Sequence, residues 1–375
     1  MLSPFVRRYN GARCSHGTTP PRHRTFWGLH AVYSHYNVSN VSFPFGIYSG
    51  VKDRRLQGDI TVHIYKTQNA AASQIVNNGE VNNAKQRGRY DVEAVYGGGN
   101  AASVPETNVT MNGCYEVGWL FGGGHGAGEG NPGANVGLID VPSDNATTVT
   151  TKPYGTGNAN TNIQGGTVGH LFGGSNERGN IVGIASMNLN EPDDCDCPIN
   201  VTEELFGFGN AATMDGDGNM NIGCVSGTIA EVYGGAKAAD VGGSIDLHIN
   251  SGTFGKVFGG NKNSGTVSVT IEETGCKSIV IRELYGAGNM AAYTAPEELP
   301  DYPKVNIVSC TEIGYVYGGG YGETAVVRGN PQVCVNMEKG AHATLIGDQL
   351  GTIGTIFGGG NQADVNGKAN VLISQ

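Results

Sequence analysis

Four oxygen-bearing side chains stand at alternate positions in the stretch DGDGNMN: Asp215, Asp217, Asn219 and Asn221. Calcium is bound by several oxygen ligands, and the first half of a calcium loop spaces them in this way. Asp215, Asp217 and Asn219 are therefore candidate calcium ligands. Ser226 stands where a bidentate glutamate would close such a loop, so a solvated acidic turn is the stronger reading and no resident cofactor is expected. A second acidic stretch, EPDDCDCP, gathers Glu191, Asp193, Asp194, Cys195, Asp196 and Cys197. One C-x-C without a second thiol pair or histidines nearby is a weak zinc signal and reads as an insertion loop. GEGNPG, from Gly128, matches the dinucleotide fingerprint only in its glycines; no strand-to-helix context surrounds it.

Glycoside cleavage needs two carboxylates about 5 to 10 Å apart. Glu231 and Glu283 occupy equivalent positions, each directly before a repeated phrase, but Lys256 holds that position between them, which makes an ordinary charged ladder. The histidines form no nucleophilic triad in sequence. Four of the eight cysteines recur at nearly equivalent turn positions: Cys114 and Cys310 six residues before a repeated phrase, Cys224 and Cys276 eight before one. They read as small buried turn residues. At one strand spacing per repeat, Cys224 and Cys276 would be about 9.6 Å apart, too far for a disulfide, with Cys276 and Cys310 the closer pair.

The phrase that sets these positions begins at Val95 (VYGGGN), Leu120 (LFGGGH), Leu171 (LFGGSN), Leu205 (LFGFGN), Val232 (VYGGAK), Val257 (VFGGNK), Leu284 (LYGAGN), Val316 (VYGGGY) and Ile356 (IFGGGN), with a worn copy at Ile47. The shortest spacing between these anchors is 25 residues, which is a structural repeat carrying insertions. Between anchors the chain alternates apolar and polar residues, as in SIDLHI, TVSVTI and QVCVNM, the mark of a strand with one buried face. Short strands of this kind bury a core only by stacking on their copies. The expected fold is therefore all-β, a parallel β-solenoid of about ten coils with insertion loops, roughly 50 Å long at the inter-strand spacing. Insertions are expected at 125–165, 187–200, 290–303 and 321–350, where any specificity should lie.

Glycines at the corners are expected to supply positive φ and close backbone approach, and Asn100, Asn210, Asn289 and Asn361 to form a column. The anchor aliphatic points inward, and the aromatic after it points outward or fills the next corner. Tyr233, Phe258, Tyr285, Tyr317 and Phe357 thus make a ladder with two readings: a stack that stabilises the fold, or an open track on which sugar rings stack.

The phrase VYGGGN, followed by an A-x-V step and a VNI-type strand, resembles the Gly-rich repeats of long surface proteins of gut Bacteroidales, over roughly residues 45 to 375. The resemblance implies a cell-surface or secreted repeat protein and carries no catalytic residues with it.

Residues 91 to 375 carry eleven Lys or Arg against thirty acids, a balance that repels nucleic acid. Residues 1–40 form a basic, non-repeat segment, expected to be disordered or a misassigned start, and the repeat domain spans 41–375. No secretory signal and no transmembrane stretch is visible in the sequence. The final strand, ANVLI, lacks a polar cap, so the repeats are expected to continue beyond Gln375 or to associate end to end. These readings converge on a non-enzymatic surface or extracellular protein, an adhesin, binding module or spacer that meets a glycan or a neighbouring cell-surface protein. The alternative is a carbohydrate-active β-helix enzyme, a lyase or glycosidase.

Overall fold

The computed structural model describes residues 90–374 apart from 127–133, 143–148, 194–195, 262–264 and 338–350, together with four short strands before them: Ile47–Tyr48, Ile60–Ile64, Val76–Asn77 and Glu80–Val81. Expectations about residues 1–40, including Cys14, and about Cys195 lie outside the described residues. No helix occurs among the described residues, and none is long and apolar enough to cross a membrane.

Two ten-stranded sheets dominate the molecule, and successive strands of the chain alternate between them. One, the anchor sheet, holds every anchor; it includes Thr228–Tyr233, Gly252–Phe258 and Ile279–Tyr285 as neighbours. The other, the alternating sheet, includes Gly218–Ile222, Ile245–Ile249 and Val267–Ile271. All pairings in both are parallel, an arrangement compatible with a solenoid, and each passage through one strand of each sheet is termed a circuit below. A shorter third column runs through Tyr293–Thr294, Val327–Arg328 and Val365–Asn366, with single bridges such as Val104 to Val136 to Ile181 continuing it.

Register follows the repeated phrase without exception. Val95, Leu120, Leu171, Leu205, Val232, Val257, Leu284, Val316 and Ile356 lie opposite one another in successive strands. They face Ile163, Leu189, Ile222, Ile249 and Ile271 of the other sheet within one apolar core. Parity resets inside each anchor strand, as the glycine two before several anchors suggests: Val168 and Leu171 are both buried in the same core, with an irregularity in register between them.

The glycine after each aromatic residue is required for a reason the sequence reading shared only in part. None of these glycines has positive φ. Instead the Gly234 N–H donates to the Phe258 carbonyl at 2.9 Å, and a Cβ on Gly234 would overlap the carbonyl oxygen of Gly259, its counterpart in the next circuit. The same relation repeats from Gly97 to Gly318. Backbones approach too closely at this corner for any side chain.

The cysteine expectation is corrected. Cys224 and Cys276 are disulfide-bonded, as are Cys114 and Cys197, each pair with Cα atoms 5.0 Å apart, while Cys310 is a buried free thiol. Each disulfide skips one circuit, and the skipped circuit has a corner of only two residues: 250–251 between Ile249 and Gly252, and 164–165 between Ile163 and Gly166. The longer corners on either side lean over the short one. Gly275 N–H donates to Asn250 O at 2.8 Å, and Ser251 Oγ–H donates to Gly223 O at 2.6 Å. Strand spacing limits the strands and leaves their loops free to meet.

Candidate functional site

The outward face of the anchor sheet collects the side chains best suited to chemistry. The residue before each anchor points away from the core, and in register these residues form a row: Trp119, His170 and Glu204, then Glu231, Lys256, Glu283, Tyr315 and Thr355. The Trp119 and His170 rings stack with centroids 3.8 Å apart. His170 Nδ1 lies 2.9 Å from Glu204 Oε1, and Lys237 Nζ, from the following corner, bonds the same oxygen. Glu204 and Lys237 escaped sequence reasoning, although Glu204 directly precedes Leu205 and so belongs to the same row as Glu231 and Glu283.

Beside this row runs the aromatic ladder. Nine rings, from Tyr96 through Phe357, stack face to face with centroids 4.4–5.3 Å apart and interplanar angles of at most 12°. They form an apolar column distinct from the main core. Of the five candidate ligand-binding aromatics, Tyr233, Phe258 and Tyr285 are buried and Tyr317 is half-buried; only Phe357, the last ring, is 45% exposed. Each inner ring has both faces occupied by its neighbours, so no open face remains for a sugar ring along the interior of the ladder.

The tyrosine hydroxyls are equally engaged. Tyr233 donates to Glu231 Oε2 at 2.6 Å and accepts from Asn289 Nδ2 at 3.0 Å; Tyr285 donates to Glu283 Oε2 at 2.7 Å and accepts from Asn361 Nδ2 at 3.2 Å. Asn176 donates to the Tyr96 hydroxyl in the same pattern. The phrase's asparagine thus reaches the tyrosine two circuits back. Burial, reinforced by the neighbouring glutamates, raises the Tyr233 and Tyr285 phenols above their usual range. The asparagine column also bonds along itself: Asn210 Nδ2 donates to Asn176 Oδ1 at 2.9 Å, and His125 Nδ1 lies 3.0 Å from Asn100 Oδ1.

The candidate calcium ligands bond different neighbours. Asp215 accepts from Asn180 of the preceding circuit, and Asp217 Oδ1 accepts from the Ser244 N–H of the following one at 2.8 Å. Asn219 lies on the alternating sheet, paired with Ser186 and Asp246. Among the described residues, the one grouping of three ligand-type atoms within 4.8 Å of one another is Glu191, Cys224 and Cys276, where the sulfurs are joined.

Two buried carboxylates organise the corners. Glu191 Oε1 accepts from Ile199 N–H at 2.7 Å and Ser226 N–H at 2.8 Å, and Glu273 Oε2 accepts from Ile279 N–H at 2.8 Å and Thr311 Oγ at 2.7 Å. Each anchors the first residue of the next strand and ties it to the following circuit. The signal was present in the alternation: Glu191 and Glu273 stand two residues after the inward Leu189 and Ile271, and Ser251 and Ser309 stand two after Ile249 and Ile307. Extending period two by one step places all four inside, and all four are buried. Comparison with protein-family models, with curated proteins and with solved structures returned no match to this chain.

Proposed function

We propose that the chain is a β-solenoid of about ten coils acting without catalysis, as a cell-surface or secreted spacer that displays its loops to a glycan or a neighbouring cell-surface protein. One observation carries this reading. The row of side chains able to do chemistry spends its donors and acceptors on itself: His170 and Lys237 on Glu204, Tyr233 on Glu231, Tyr285 on Glu283. Catalysis needs a base and an acid poised toward an empty position, whereas these groups face partners in a neighbouring circuit or strand position. Two disulfides support an extracytoplasmic setting, where such bonds persist. The antiparallel hairpin Leu138–Pro142 with Val149–Pro153 departs from the two long sheets and is the foremost display element.

The test is a glycan array combined with a lyase and hydrolase screen over broad polysaccharide pools. Retention of glycan or of a surface protein without cleavage, lost when the hairpin is excised, is the expected result. Turnover abolished by Glu204→Gln or Glu231→Gln would replace the reading with a carbohydrate-active enzyme.

A further inference from the structure

We propose that reduction converts the Cys224–Cys276 staple into a binding site for a borderline-soft divalent cation of the zinc class, held by Cys224, Cys276 and Glu191. Cys224 and Cys276 come from the two corners that close over the short corner at Ser251, Glu191 comes from the corner before them, and one ligand atom from each lies within 4.8 Å of the other two. Thiolates and carboxylates are both zinc ligands, and three protein ligands leave the fourth position of a tetrahedral site open. Sulfurs on a tetrahedral zinc stand roughly 3.8 Å apart at the usual metal–sulfur length, a separation that side-chain rotation reaches from Cα atoms 5.0 Å apart.

Glu191 is placed independently of the sulfurs. Its carboxylate is fixed by the Ile199 and Ser226 N–H groups, and its own N–H donates to Cys224 O at 2.8 Å. It is 5% exposed, so its negative charge is held in a desolvated corner, where a cation is attracted strongly. Cys276 is exposed and Cys224 half-buried, which gives a small dithiol access to the bond. In the exchange, the dithiol passes two electrons and two protons to the cysteines and becomes a cyclic disulfide. Cation binding then displaces the two thiol protons. The corners stay tied in both states, by a sulfur–sulfur bond in one and by a shared ion in the other.

The second disulfide serves as a comparison, since Cys114 and Cys197 also bridge over a two-residue corner, 164–165.

The experiment uses the full chain reduced with a dithiol, freed of reductant under anaerobic conditions and titrated with Co²⁺, with Zn²⁺ as competitor. One tight equivalent showing a thiolate charge-transfer band, displaced by Zn²⁺, is expected. Cys276→Ser should abolish that band, and Cys114→Ser should leave it. Glu191→Gln keeps an acceptor oxygen for Ile199 and Ser226 while removing the charge; it should weaken binding by at least about tenfold, the loss that even an outer partner of a metal ligand carries. Circular dichroism of each variant verifies that the strands persist. No tight equivalent, equal binding by the Cys276→Ser and Cys114→Ser chains, or an unchanged affinity in Glu191→Gln would overturn the proposal.

Discussion

Replacing Phe258 by alanine tests whether the aromatic ladder is a packing element. Phe258 has no exposed surface, and its ring lies 4.8 Å from both Tyr233 and Tyr285, nearly parallel to each. Truncating a buried phenylalanine costs about 3 to 5 kcal/mol. Two stacking contacts are lost with it, each contributing about 0.5 to 1.5 kcal/mol beyond area burial, which places the substitution near the upper end, about 5 kcal/mol. Phe357 provides the comparison. It is 45% exposed with one stacked neighbour, Tyr317 at 5.0 Å, so roughly half the burial and one contact are lost, about 2 kcal/mol. Urea unfolding followed by circular dichroism reads the shift in midpoint. Stacked repeats can unfold in parts, so hydrogen exchange of the Thr228–Tyr233 and Ile279–Tyr285 amides should be measured alongside. A Phe258→Ala penalty below about 1 kcal/mol, or one no larger than that of Phe357→Ala, would refute the packing argument.

Gly234→Ala should destabilise severely or prevent folding, because its Cβ meets the Gly259 backbone, whereas Gly242→Ala should be nearly silent, because nothing lies within 4 Å of its Cβ; expression and melting temperature of the two variants decide it. Burial raises the Cys310 thiol to about 12, and burial with neighbouring glutamates raises the Tyr233 and Tyr285 phenols. The folded chain therefore holds these protons more tightly than the unfolded one, so their stabilisation is complete below the ordinary thiol range and declines as pH climbs toward 12. Alkaline titration should show falling stability, with Cys310 resisting alkylation in the native state until the chain unfolds. Calcium, added or chelated, should leave the melting temperature unchanged, because Asp215 and Asp217 already accept hydrogen bonds from different neighbouring circuits; a concentration-dependent rise would show a site there.

The repeated phrase determined the register, the parallel stacking and the inward anchor, because pairing between successive circuits is a nearest-neighbour matter that each 25-residue unit encodes for itself. The same alternation reached further than the strands: it carried Glu191, Ser251, Glu273 and Ser309 into the interior of the corners. Residue types alone also named the carboxylate row, since Glu231 and Glu283 stand before their anchors in plain view.

Contacts that jump a circuit were not legible. The Cys224–Cys276 bond depends on the difference in length between three successive corners, and the reach of Asn361 to Tyr285 depends on how the glycine-rich corner folds back across an intervening circuit. The direction of the ladder was equally hidden, because an aromatic facing away from one core becomes buried only when its own copies and the corner asparagines cover it. Local pattern determined which residues point inward, since strand geometry alternates whatever surrounds it. What covers the outward residues was decided only by the tertiary structure, because burial on that face is supplied by neighbouring circuits, at separations that insertions of unequal length set.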